Sequence, residues 1–153
     1  MYPVPNNKIV TIKEALEGVT AKTFANIKYP IELMKQIPQG KNITSASKEL
    51  VDKYFPKLLS KKFMKDIMRR DSWDKPTCTV IKMFIPFAME PKIHPAEHRY
   101  YSIEELCALC SFPTDWKFAN LNYVQRHARL GNAVMPNFMK AIAETIKKEI
   151  LKT

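Results

Sequence analysis

Apolar and polar residues follow one another along this chain mostly with the spacing of helices. Thr11-Ile12-Lys13-Glu14 is a capping box, in which the threonine and glutamate side chains satisfy each other's backbone amides; Ala15 and Leu16 follow, and Gly18 ends the helix. Pro30 suits the opening of another turn of helix, which Pro38-Gln39-Gly40 breaks. Ser47 to Tyr54 reads as a helix. Pro56 then fits the first position of a further one, running to about Met68. Its apolar face is Leu58, Leu59, Phe63 and Ile67, with Lys57, Lys61, Lys62 and Lys65 mostly opposite, so it is an amphipathic basic helix.

Downstream the period changes. Thr77 to Phe87 is β-branched and aromatic and predicts a strand, interrupted at Pro86. Ser102-Ile103-Glu104-Glu105 is a second capping box, whose helix ends near Ser111-Phe112-Pro113. A last helix is expected to begin just after Gly131-Asn132, near Met135-Pro136, and to reach about Leu151. Met139, Ile142, Ala143, Ile146 and Ile150 form its apolar stripe. One strand cannot complete a sheet. Either a hairpin lies in Thr77 to Ile93, or the chain borrows a sheet from a partner.

Composition bounds this picture. The 153 residues are 46% hydrophobic and 26% charged, enough for one folded domain and too few for two ordinary ones. No apolar run approaches the roughly 18 to 20 residues of a membrane helix, and Met1 to Lys8 lacks the apolar core of a signal peptide. The expected location is cytoplasmic, without membrane contact. The net charge is +10, and half of it falls between Lys53 and Lys75, where eight basic residues face Asp66, Asp71 and Asp74. Such an excess favours a polyanion, nucleic acid first, although a solvated helix face explains the charge equally well.

The three glycines, Gly18, Gly40 and Gly131, stand too far apart for any glycine-rich cofactor loop. Cys78, Cys107 and Cys110 suit a reducing setting. Cys107-x-x-Cys110 has the spacing of a redox or zinc pair, but it falls inside a helical pattern without a second such pair. Packing cysteines are the expectation, with no metal site.

From Arg69 onward three segments carry a resemblance. The first is Arg69-Arg70-Asp71-Ser72-Trp73-Asp74-Lys75-Pro76-Thr77-Cys78-Thr79-Val80. The second is His94-Pro95, then His98-Arg99-Tyr100-Tyr101-Ser102-Ile103-Glu104-Glu105-Leu106-Cys107-Ala108-Leu109, ending in Ser111-Phe112-Pro113-Thr114-Asp115. The third is Gln125-Arg126, then Leu130-Gly131-Asn132-Ala133-Val134-Met135-Pro136. In order and spacing these resemble the C-terminal part of a cytosine-5 DNA methyltransferase, with the recognition region before them; Thr11 to Leu16 and Ile37 to Gly40 faintly resemble the stretch entering that region.

The resemblance implies an α+β chain, a fragment of an α/β methyltransferase fold, mainly helices with a short strand or hairpin completing a partner's sheet. Residues 1–76 would be a small basic lobe that recognises DNA, and residues 77–153 the segment that packs back on the catalytic domain. Asn132, Val134 and Phe112 match positions that contact S-adenosylmethionine; Asn132 as a helix cap is the competing reading. Arg69, Arg70 and Lys75 match the neighbourhood of DNA contact, joined by Lys61, Lys62 and Lys65 of the basic helix, while Trp73 packs the lobe or touches a base. Gln39, Lys41 and Asn42 are candidates for base readout.

The departures are equally specific. No cysteine follows a proline, no Glu is followed by Asn-Val, and the glycine-rich turn is missing. No catalytic residue is therefore assigned. Addition of a thiolate to cytosine and the carboxyl group that holds the base require a second polypeptide. The expectation is the DNA-binding, cofactor-site-completing part of a split enzyme, inactive alone, sharing S-adenosylmethionine with its partner. The alternatives are a non-catalytic DNA-binding or regulatory remnant, or a truncated gene product; DNA is the substrate by resemblance, and tRNA stays open. A second copy of the chain is the other occupant its apolar faces could accept.

Overall fold

The computed structural model describes residues 3, 8–56, 67–85 and 92–151. Six α-helices are found among them: α1 Ile12–Leu16, α2 Ile31–Lys35, α3 Lys48–Tyr54, α4 Ile103–Leu109, α5 Tyr123–Asn132 and α6 Pro136–Ile146. A 3₁₀ turn, Ile43–Ser45, precedes α3, and a π-helical turn, Lys147–Leu151, extends α6. Both capping boxes form as the sequence requires. Thr11 and Ser102 accept from the amides of Glu14 and Glu105, and each glutamate returns a bond to its cap's amide. The basic helix expected from Pro56 to Met68 lies largely outside the described residues, as do Lys61, Lys62 and Lys65.

Two expectations change. Residues 77–85 contain no strand, and the chain bends at Lys82. The reason is what they pack on. Phe84 is drawn into an aromatic cluster against a helix, with ring centroids 4.9 Å from Tyr123 and 5.3 Å from His127. β-branched and aromatic residues favour strands because they fit a pleated surface beside another strand, and no strand lies alongside among the described residues. What pairing exists is minimal: Ile93 bridges Arg70 in parallel and Tyr100 antiparallel.

The second change is α5, which begins well before Gly131. Asn122 caps it by accepting from the Gln125 amide, and Gln125 returns the bond. Tyr123, His127 and Leu130 are its buried stripe. Asn132 is consequently the last residue of α5, not the cap of α6. The cap of α6 is Met135, which supplies no side-chain bond; the Asn137 amide donates instead to Ser111 Oγ at 3.1 Å.

One apolar core runs through the described residues. It joins Leu33, Met34, Ile37 and Ile43 from the N-terminal side to Ile93, Tyr100, Ile103, Leu106 and Leu130. The core has no gap at residue 76, where the two expected lobes meet. Backbone bonds cross the same line: Ile103 N–H donates to Thr23 O, Ile93 N–H to Arg69 O and Asp71 N–H to Ile93 O. The exception is α6, none of whose residues is buried.

Candidate functional site

The polar residues of the second resembling segment form a closed network. Arg99 holds Glu105 with two bonds, 2.7 and 2.8 Å, and Glu97 with two more at 2.8 Å each. This fork-on-carboxylate geometry is the strong form of an ion pair. Glu105 also accepts from the Ser102 amide. Burial raises its pKa, but these bonds and the Arg99 charge win, and the carboxyl sits below its ordinary value. Beside it, His94 Nδ1 accepts from the amides of Ala96 and Glu97, and Nε2 lies 3.6 Å from Glu105. Burial, helped by the Arg99 charge, lowers the pKa of His94 and favours the neutral ring.

His94, Glu97 and Glu105 bring ligand atoms within 4.8 Å of one another, the one such group among the described residues. Both carboxylates already hold the Arg99 guanidinium, so the cation of this cluster is an arginine. The cysteines are equally settled. Burial pushes Cys107 up to about 12 and Cys110 to about 11, leaving both as thiols at neutral pH. They pack α4. Cys78 is exposed.

The residues expected at DNA divide. Arg70 is 3% exposed, and all five of its N–H donors are used inside the protein. Nε donates to Ile37 O at 2.7 Å, and Nη1 to His94 O at 2.6 Å and Glu97 O at 2.7 Å. Nη2 donates to Met34 O at 2.8 Å and to His98 Nδ1 at 3.0 Å. It staples the N-terminal helices to the loop before α4 and has no donor left for a phosphate. The assignment of Arg70 to DNA contact is corrected on this ground.

Arg69 is half-buried and Lys75 exposed. Trp73 packs edge-on against His94, ring centroids 5.3 Å apart, so packing accounts for it. Gln39 Oε1 accepts from the Trp73 amide and Asn42 Oδ1 caps the 3₁₀ turn, which gives both local work.

The three positions expected to face the cofactor lie near one surface. Phe112 and Ala133, the latter between Asn132 and Val134, line the same groove of about 380 Å³ with Trp116, Phe118, Leu121 and Leu130. Phe112 is half-buried and meets Trp116 edge-on at 5.3 Å. Asn132 and Val134 are exposed, Val134 by 54%. The fit to S-adenosylmethionine is one-sided. The groove offers an aromatic and aliphatic wall suited to an adenine ring or methylene chain, with Lys117 and Arg129 also in its lining and Asn132 next in sequence to its Ala133. Sequence reading missed Trp116 and Phe118; the spacing Phe112-x3-Trp116-x-Phe118 was the available signal.

Comparison with known proteins gives the family. The profile of the family described as C-5 cytosine-specific DNA methylase matches residues 2–148. A candidate type II methyltransferase of Oceanobacillus iheyensis, M.OihORF3336P, is 29% identical over 94% of this chain and 36% of its own length. Type II methyltransferase M.Sau96I of Staphylococcus aureus is 29% identical over 75% of the chain and 26% of its own. Mouse DNA (cytosine-5)-methyltransferase 1 is 33% identical over 55% of the chain and 5% of its own length. The chain thus spans about a third or less of these relatives. The profile covers nearly the whole sequence, so this chain belongs to the C-5 cytosine-specific DNA methylase family.

Proposed function

We propose that this chain is the C-terminal, DNA-binding and cofactor-site-completing part of a DNA cytosine-5 methyltransferase, active only with a second polypeptide. That polypeptide would supply the cysteine nucleophile, the carboxyl group that holds the base and the glycine-rich turn. The observation that carries the reading is α6. It is eleven residues long, amphipathic, and buries none of them. Phe138 is 58% exposed, Met139 46% and Ile146 43%, and the π-helical turn adds Ile150 and Leu151. Surface helices normally bury their apolar stripe. A stripe left bare in a chain otherwise built on one core fits a helix made to be covered by a partner.

S-adenosylmethionine would supply the methyl group. Phe112 and Val134 would present an apolar wall to it, and the Asn132 side-chain amide a polar contact. Lys75 and Arg69, with Lys61, Lys62 and Lys65, would neutralise phosphates, which gives affinity without sequence choice. The substrate base would have to leave the duplex to reach a cysteine on the other polypeptide.

The test is methyl transfer to DNA from labelled S-adenosylmethionine, by the chain alone, by a front polypeptide bearing the missing residues, and by both together. Transfer only from the mixture is expected. Full transfer by the front polypeptide alone would contradict the reading.

A further inference from the structure

The third resembling segment contains a glycine whose place in a helix has no conformational reason. Gly131 lies in the last turn of α5, with a backbone that any residue could adopt there. An alanine in its place would ordinarily stabilise a helix by roughly 0.5–1 kcal/mol. Here it has no room. A Cβ built on Gly131 would lie 2.5 Å from both the Ile81 carbonyl oxygen and the Lys82 amide nitrogen, and closer still to the Ile81 carbonyl carbon. These are backbone atoms, so no side-chain rotation relieves the clash.

The contact belongs to a longer track. Residues 123, 127 and 131 are spaced four apart and share one face of α5. Phe84 packs on the first two, with its ring 4.9 Å from Tyr123 and 5.3 Å from His127, and the Ile81–Lys82 peptide lies on the third. The segment at 81–84 is therefore held along α5 at two points, a ring between two rings and a peptide against a bare Cα. Immediately after the second point come Asn132 and Val134. The Ala133 amide closes the helix by donating to Leu130 O at 3.1 Å.

We infer that Gly131 is a positioning residue: by letting the Ile81–Lys82 backbone lie against α5, it fixes where Asn132 and Val134 stand at the cofactor groove. The functional half of this inference rests on the partner-dependent reading above; the structural half does not. A side chain at 131 must push the helix end and the 81–84 segment apart, and the residues next to the wedge are the ones expected to face S-adenosylmethionine. The cost should fall on cofactor recognition before it falls on chemistry.

The experiment uses Gly131→Ala and, should that chain fail to fold, Phe84→Leu, which loosens the same track from its other hold. In the mixture with the front polypeptide, Gly131→Ala is expected to raise the KM for S-adenosylmethionine at least tenfold. The kcat and the KM for DNA should stay within about twofold. Phe84→Leu should move the same constant in the same direction by a smaller factor. In the chain alone, amide exchange at Ala133 should accelerate at least tenfold in Gly131→Ala. Unchanged KM in both variants overturns the inference, as does a fall in kcat with KM preserved. If the unaltered mixture transfers no methyl group, the partner-dependent reading fails, and exchange at Ala133 alone decides whether Gly131 positions the segment.

Discussion

The two ends of this chain treat their chemistry in opposite ways. Around α4 the polar groups are turned inward and used up: Arg70 gives all five donors to four carbonyls and a histidine, and Arg99 is shared between two glutamates. From Val134 through α6 the apolar groups are turned outward. Val134, Phe138, Met139 and Ile146 are each more than 40% exposed. A buried cation must find partners in its own chain, because leaving it unpaired costs several kcal/mol. An apolar stripe can stay bare until another surface covers it. The first end is a finished structural unit, and the second has the character of half an interface.

The sharpest way to break the finished end is Arg70→Leu. It removes the staple and leaves the carbonyls of Met34, Ile37, His94 and Glu97 short of a donor. A loss of about 4 kcal/mol is expected in urea unfolding. A loss below 1 kcal/mol would mean that water replaces the guanidinium freely and that the end is not closed. Glu105→Gln should come next, at about 3 kcal/mol, because it leaves the half-exposed Glu97 as the one carboxylate facing Arg99 among the described residues.

Acid should loosen the core in a defined order, from the buried stripe of α5 to α4. Burial holds His127 at about 4, below its ordinary 6.5, so the unfolded chain takes up that proton first. Its contribution is complete above pH 6.5 and is lost as the pH falls to about 4, by up to about 3 kcal/mol. Glu104 follows. Burial alone would raise it, but bonds from the Thr23 amide and hydroxyl and from the Lys22 amide bring it to about 2. That stability is present above about 4.5 and disappears as the pH falls towards 2. His127→Phe should flatten the urea midpoint between pH 6.5 and 4 and leave the lower limb intact.

The smallest effect on folding is expected at the open end. Met139→Lys on α6 should change stability by less than about 0.5 kcal/mol, since the side chain is 46% exposed and not buried in the core. The same substitution should weaken association with the front polypeptide at least tenfold, measured by sedimentation of the mixture. A stability loss of 2 kcal/mol in the isolated chain would show that α6 has a partner within it.

Much of the finished end was legible in the sequence, because capping boxes and helical periods are local signals. Thr11-x-x-Glu14 and Ser102-x-x-Glu105 each opened a helix where expected, and Ser47 did the same for α3. The failures share one cause, which is contact with distant residues. Gly131 reads in sequence as a boundary, because a glycine required by close approach looks there like one required by a turn. This hid α5, despite the signal in Asn122-x-x-Gln125. Arg70 looked like its neighbour Arg69, and only the fold puts four carbonyls around it. Thr77 to Ile85 has strand-forming residues and, among the described residues, no strand to join.

Amide hydrogen exchange of the isolated chain compares the two ends most directly. Exchange reads local opening, which is rare where bonds are buried and frequent where a helix has only its own backbone to hold it. The amides of α4, next to Glu105 and Arg99, should exchange at least a hundredfold more slowly than those of α6. On addition of the front polypeptide the α6 amides should slow and the α4 amides stay as they were. If α6 is already protected as strongly as α4 in the chain alone, its apolar stripe is covered from within, and the claim that this end awaits a partner is wrong.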